Sequence, residues 1–317
     1  MFDRESNEGW RLYLLNWVLL STIALVVCAG IVLTHFSIEI EKGLLKTVSM
    51  AGIFVVLGHY LASRTWGSRP ALVLLSLAQL DLLFLLGGPL SYIMASAGLP
   101  LQDANLASVD RLLGLDWAAY YRFVTTRPTL LPYAMFFYAM IGWLGLGVPL
   151  LLGLTKNDIR LQQFITACIL SVFVTTLVSA LLPAIGTYRQ YGLPAETAGF
   201  RATGYLVQLE QLPFVRDGTL RILNISKIGG IVTFPSFHSA AAVLALWACW
   251  SVWWIRPLAL ITNVGMLMVT PLSGGHYFFD VIAGAALATL AIVAAKRFAT
   301  ASAAAPGIRR SILTQRA

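Results

Sequence analysis

The sequence predicts an all-α polytopic membrane helix bundle, and three observations carry that expectation. Hydrophobic residues make up 58% of the 317 positions and charged residues only 11%, where a soluble globular chain carries about 25% charged residues. The mean hydropathy is +0.77. The apolar residues fall in continuous runs of the length that takes a helix across a bilayer, roughly 20 residues, rather than in the alternation of a membrane-spanning barrel. Polar residues are too few to cover a soluble domain of this size, so lipid is the solvent for most of the surface.

In chain order the runs cover about 12–34, 44–61, 71–97, 130–154, 161–182, 237–254, 257–272 and 278–295, giving eight spans, of which the seventh is short. The first follows an N-terminus of mixed charge and is long enough to remain as an anchor rather than be cleaved. Lys and Arg then set the orientation. Arg64 and Arg69 follow the second span, Lys156 and Arg160 the fourth, Arg256 the sixth, and Lys296, Arg297, Arg309 and Arg310 the eighth. With both termini cytoplasmic, every one of them lies inside. The segment 273–277 has no Lys or Arg, and it falls outside together with two long connections, 98–129 and 183–235. The expected setting is a bacterial inner membrane. The net charge of +8 is spread singly between apolar runs, without the basic stripe that nucleic acid requires. Cys28, Cys168 and Cys249 all sit in apolar runs and read as packing residues rather than a disulfide framework.

The first long connection contains VDRLLGLDWAAYYRFV, 109–124, whose helical spacing of apolar residues predicts one amphipathic helix lying in the interface. Trp117, Tyr120 and Tyr121 suit headgroup depth, and a structural brace is favoured over a substrate lid. The second connection, 183–235, is too long for a turn and is expected to be functional. No internal repeat supports a transporter of two halves.

Two short segments carry chemistry. In TFPSFHS, 233–239, Pro235 suits a first helical position and Thr233 or Ser236 a cap. His238 then stands at the opening turn, beside Ser236 and free backbone N–H groups that suit an anion. The alternative is a plain helix start with His238 at the interface. In GGHYFFDVIAG, 274–284, His276 and Asp280 are four residues apart and share a helix face. The carboxylate can then fix one imidazole nitrogen and leave the other free. A packing hydrogen bond is the alternative, but an Asp in or near a span is costly and points to function. Both segments open their spans on the outer side. His238, His276 and Asp280 can therefore meet there and divide into nucleophile and general acid.

PSFH followed by HYFFD resembles the second and third motifs of the type 2 phosphatidic acid phosphatase superfamily. The His-Tyr-aromatic-x-Asp stretch is closer to its inositol phosphorylceramide synthase and sphingomyelin synthase branch. The resemblance covers mainly spans three to eight and implies a six-helix core over 70–297, with 1–69 as two added spans and 298–317 as a cytoplasmic tail. It implies that His276 attacks phosphorus to form a phosphohistidine, oriented by Asp280. His238 protonates the departing oxygen and then activates water or an alcohol acceptor. Ser236 and nearby amides hold phosphate oxygens, and no metal or other cofactor is needed. The implied substrate is a lipid phosphate or phospholipid head group in the bilayer, and the activity is phosphatase or inositolphosphotransferase-like.

The upstream Lys-x6-Arg-Pro motif of the phosphatases is absent, and Val269 and Thr270 stand where Ser-Arg is usual. The phosphate's cationic partner is then sought among Arg189, Arg201, Arg216, Arg221 and Lys227, with Arg216 favoured. Two other classes stay open: a zinc-dependent hydrolase on the two histidines and the aspartate, and a transporter or non-catalytic scaffold.

Overall fold

The computed structural model describes residues 4–63, 68–197 and 199–304. Arg64, Arg309, Arg310 and the tail beyond 304 lie outside the described residues. Within them the architecture is the expected all-α polytopic bundle. Its first helices are α1 (Arg4–Thr34), α2 (Lys42–Ala62) and α3 (Ser68–Ala95), with the two-residue strand β1 (Ser37–Ile38) between the first two. Two short helices follow, α4 (Asp103–Leu112) and α5 (Trp117–Thr125). After a 3-10 turn come α6 (Leu131–Ala139), α7 (Ile141–Leu154) and α8 (Asp158–Leu181). The second long connection carries α9 (Thr187–Tyr191), β2 (Glu196–Thr197), β3 (Phe200–Arg201), α10 (Thr203–Arg216) and β4 (Ile222–Leu223). The chain closes with α11 (Phe237–Cys249), α12 (Arg256–Ser273) and α13 (Phe278–Ala304).

Six of these helices are long and apolar enough to cross a membrane, and the pair α6 and α7, bent by 50°, makes a seventh if its two halves form one span. The protein is thus a multi-pass integral membrane protein. The fourth predicted span is broken at Met140, and the sixth is shortened to the 13 residues of α11. At 1.5 Å per residue, α11 covers only about 20 Å, less than the hydrocarbon thickness of roughly 30 Å. Apolar composition reports burial in lipid or protein, not helix continuity, so neither departure is visible in the runs.

The spans pack around α8, whose apolar stretch is 61% buried, whereas that of α2 is only 11% buried and faces lipid. Lipid tails compete on equal terms with apolar side chains, so membrane helices are joined by close packing and interhelical hydrogen bonds. Both occur here. Asn16 of α1 donates to Gln162 of α8 (3.1 Å) and accepts from Thr166 (2.7 Å). Gln162 in turn donates to Ser76 of α3 (2.7 Å), and Gln79 donates to the Tyr13 carbonyl (2.9 Å).

The single interfacial helix expected over 109–124 is two helices. Gly114, at φ +74°, takes the left-handed turn after α4 that other residues adopt at a cost. Asp116 then caps α5, accepting from the Ala119 amide at 2.9 Å. Trp117 is fully buried in the protein, and its indole donates to the Pro271 carbonyl at 3.0 Å. Tyr120 donates to the Met268 carbonyl and Tyr188 of α9 to that of Leu272, each at 2.7 Å. Three aromatic residues thereby hold the last turns of α12 in place through its carbonyls. This fixes where the segment 274–277 begins.

Candidate active site

The site lies where the first turns of α11 and α13 meet. Ser236 caps α11, its hydroxyl accepting from the Ser239 amide at 3.4 Å. Pro235 precedes this cap instead of opening the helix, and Thr233 donates to the Ala184 carbonyl at 2.7 Å. The Ser236 amide donates to the Asp280 carbonyl (3.0 Å), and the Ser239 hydroxyl to that of Val281 (2.5 Å). Gly284 permits this approach, because a Cβ there would stand 2.2 Å from the Ser236 carbonyl oxygen. Backbone thus packs directly on backbone, and His238 is carried to the segment that bears His276.

His276 precedes the first residue of α13 by two positions. Its Nδ1 lies 3.3 Å from Asp280 Oδ2, which also accepts from the Tyr277 amide at 2.8 Å. Asp280 is fully buried and its Oδ1 has no hydrogen-bond partner. The pair leaves Nε2 of His276 unengaged by the carboxylate. A 3.3 Å separation is long for a hydrogen bond, as catalytic contacts without substrate often are. Gly275, at φ +65°, turns the chain between α12 and the histidine.

Two carboxylates of α4 hold this segment. Asp110 accepts from the amides of Phe278 (2.9 Å) and Phe279 (2.8 Å), capping α13. Burial pushes its carboxyl above the usual Asp range, and the two amides pull it partly back. Asp103 accepts from the amides of Ile185 (3.0 Å) and Gly186 (2.7 Å) and from the Tyr277 hydroxyl (2.9 Å). Burial and the Asp103 charge push the Tyr277 phenol far up, keeping it a neutral donor. Neither carboxylate figured among the expected site residues. The available signal was their spacing of seven residues, which places both on one face of a helix.

Both histidines line a cavity of about 550 Å³, within the size range of small-molecule sites. Its walls come from α3 (Phe84 to Ser91), α7 (Ile141 to Gly145), α8 (Val172 to Thr176) and the segment 225–232. No Lys, Arg, Asp or Glu lines it. On its other side His238 stacks on Tyr138 of α6, with ring centroids 4.0 Å apart and planes at 10°.

The structure does not bring the expected phosphate-binding side chains to this cavity. Ser236 serves as the cap of α11. Arg216, at the end of α10, donates to the carbonyls of Gly98 (3.3 Å) and Leu99 (2.7 Å). Arg201 pairs with Glu196 at 2.8 Å. Arg221 donates to the Val215 carbonyl at 2.8 Å and lies over the Phe36 ring. Arg189 and Lys227 are likewise not among the lining residues. Among the described residues, no group of three or more His, Cys, Asp and Glu is arranged to hold a metal ion, so the zinc alternative gains no ligand cluster.

Residues 104–294 match the family model described as the PAP2 superfamily. The chain belongs to that superfamily. The match begins within α4, so it takes in spans four to eight but not α3, which the resemblance in sequence had included. Comparison with curated proteins and with solved structures found no match. Superfamily membership supports a phosphatase-type activity on phosphate esters, carried out by a membrane protein.

Proposed function

We propose that the protein is a membrane-embedded lipid phosphatase or head-group phosphotransferase that works through a phosphohistidine. The observation that carries this reading is the buried His276–Asp280 pair on the same cavity as His238. In the first half-reaction the His276 Nε2 lone pair attacks phosphorus. The bond from phosphorus to the leaving oxygen breaks, its electron pair goes to that oxygen, and His238 supplies the proton. In the second, His238 takes the proton of water or an alcohol as its oxygen attacks. The phosphorus–nitrogen bond then returns its electron pair to Nε2. Asp280 bonded to Nδ1 keeps Nε2 as the free nitrogen and stabilises the charge that the ring acquires.

The apolar walls suit the acyl part of a lipid, and the absence of charged lining residues leaves the polar work to the two histidines and their neighbours. The branch resembling inositol phosphorylceramide synthase fits the missing Lys-x6-Arg-Pro motif, with an alcohol in place of water as acceptor. We place both termini in the cytoplasm and the site on the periplasmic face of a bacterial inner membrane, as the Lys and Arg distribution favours.

The test is purification in detergent and incubation with short-chain phosphatidic acid and phosphatidylinositol in mixed micelles, with EDTA present. Wild type should release phosphate or form a new phospholipid, and should carry an acid-labile phosphoryl group. His276→Ala should do neither. Turnover by His276→Ala at the wild-type rate would overturn the reading, as would activity abolished by EDTA.

A further inference from the structure

The reading above leaves the transferring phosphoryl group without a charged partner in the protein. We infer that Tyr138 fills that place, its phenol donating a hydrogen bond to a phosphoryl oxygen beside His276. The inference rests on the phosphohistidine reading and adds a catalytic residue to it.

Tyr138 is in the last turn of α6, just before the bend at Met140. Its ring is buried against His238, with the hydroxyl 3.4 Å from His238 Nδ1. That contact comes from stacking. With the two planes at 10° and the centroids 4.0 Å apart, a phenolic O–H lying in its own ring plane cannot point at a nitrogen in the parallel ring. A hydrogen bond that weakens steeply below about 120° is poorly made there, so the proton remains available for another acceptor.

The position of that acceptor follows from Gly274. A Cβ on Gly274 would stand 3.0 Å from His276 Nε2 and 3.0 Å from the Tyr138 hydroxyl. Nε2 is the nitrogen that Asp280 leaves free. The attacking nitrogen and the phenol thus lie no more than about 6 Å apart, and the lack of a Cβ at Gly274, which would stand 2.6 Å from His276 Cδ2, lets them approach this closely. An oxygen on phosphorus bonded to Nε2 comes within reach of the phenolic proton. On the far side Gly204 of α10 lets the hydroxyl seat against backbone, since a Cβ there would lie 2.1 Å from it. The phenol is thus held in place before the charge develops, which is the condition under which a single donor contributes most.

The experiment compares Tyr138→Phe, Gly274→Ala and the control Tyr133→Phe with wild type and His276→Ala, on short-chain phosphatidic acid and phosphatidylinositol in mixed micelles. Phenylalanine keeps the ring that stacks on His238 and removes only the donor. Tyr133 is on the same helix and 62% exposed. The expected result is a fall of about 100-fold in kcat for Tyr138→Phe, with KM and melting temperature close to wild type. The single-turnover rate of phosphohistidine formation should fall by the same factor. Gly274→Ala should lose activity by pressing a methyl against the His276 ring and the Tyr138 hydroxyl, and Tyr133→Phe should match wild type. A Tyr138→Phe enzyme with wild-type kcat overturns the inference while the inactivity of His276→Ala leaves the phosphohistidine reading standing. A loss that tracks a lowered melting temperature also overturns it, in favour of packing. If wild type forms no acid-labile phosphoprotein, both fall together.

Discussion

At the scale of single residues, Asp280 is the group whose replacement separates orientation from bulk. Asp280→Asn keeps the volume and an acceptor for the Tyr277 amide, which Oδ2 now takes at 2.8 Å. It removes the charge beside His276 Nδ1 and lets the amide donate to that nitrogen, so the ring's proton moves to Nε2 and the nucleophile is lost. A fall in kcat of about 10³- to 10⁴-fold is expected from the wrong tautomer alone, measured by lipid turnover with folding checked by size-exclusion elution. The His276–Asp280 pair was legible in the sequence because four residues on one short segment bring its members together whatever the rest of the chain does. His238 was legible through the cap that precedes it. Tyr138 was not. It lies 100 positions from His238 in the run LPYAMFFYAM, where helical spacing cannot single out one aromatic among four. Arg216 drew attention by its charge, and its Nη2 donates to the carbonyls of Gly98 and Leu99, away from the cavity lining.

At the scale of elements, the site depends on how α4 and α11 grip the start of α13. Asp110 is the charged cap, and its carboxyl lies above the usual Asp range because burial outweighs the pull of the two amides. A carboxyl raised on folding keeps its proton longer in the folded state than in the unfolded one. Stability is then greatest below the unfolded value of about 3.9 and declines as pH rises through the window up to the folded value. Thermal melts across that window should show the decline in wild type and less of it in Asp110→Asn; equal slopes would remove Asp110 as the source. The α11–α13 crossing makes a second prediction. Gly284→Ala would set a methyl 2.2 Å from the Ser236 carbonyl, so α13 must shift, at a cost of about 1–3 kcal/mol for overpacking. Because a 1 Å displacement at a reacting centre costs about 10²-fold in rate, turnover should drop more than the melting temperature suggests. Wild-type turnover would mean that the helices can part without harm. The elements themselves were read well as apolar runs. The break at Met140 and the turn at Gly114 escaped because apolar and amphipathic patterns continue across them.

For the whole molecule, hydrogen bonds constrain topology where charge alone had suggested it. The turn between α1 and α2 pairs with the second long connection, β1 running parallel to β4. Around that pairing Glu39 accepts from Asn224 (2.7 Å) and Glu41 from the Ser226 hydroxyl (2.6 Å). The same connection supplies Ile225 and Ile228 to the cavity wall and, through Ile185 and Gly186, meets α4 and the histidine segment. All four segments must therefore share one side of the membrane, and the two N-terminal spans buttress the wall of the site. Trp253, 76% exposed in the turn between α11 and α12, belongs to the opposite side together with Arg256. Lys227 is exposed on the first side. Single cysteines introduced as Lys227→Cys and Trp253→Cys, in a background with Cys28, Cys168 and Cys249 replaced by Ser, should report this directly. In intact bacterial cells with a permeabilised outer membrane, an impermeant maleimide should label the first and reach the second only after the inner membrane is opened. The reverse pattern would keep the fold but invert the protein and put the histidines on the cytoplasmic face. Equal labelling of both in intact cells would break the link between the strand pairing and the bundle, because the span Trp253–Ser273 separates that turn from the histidine segment.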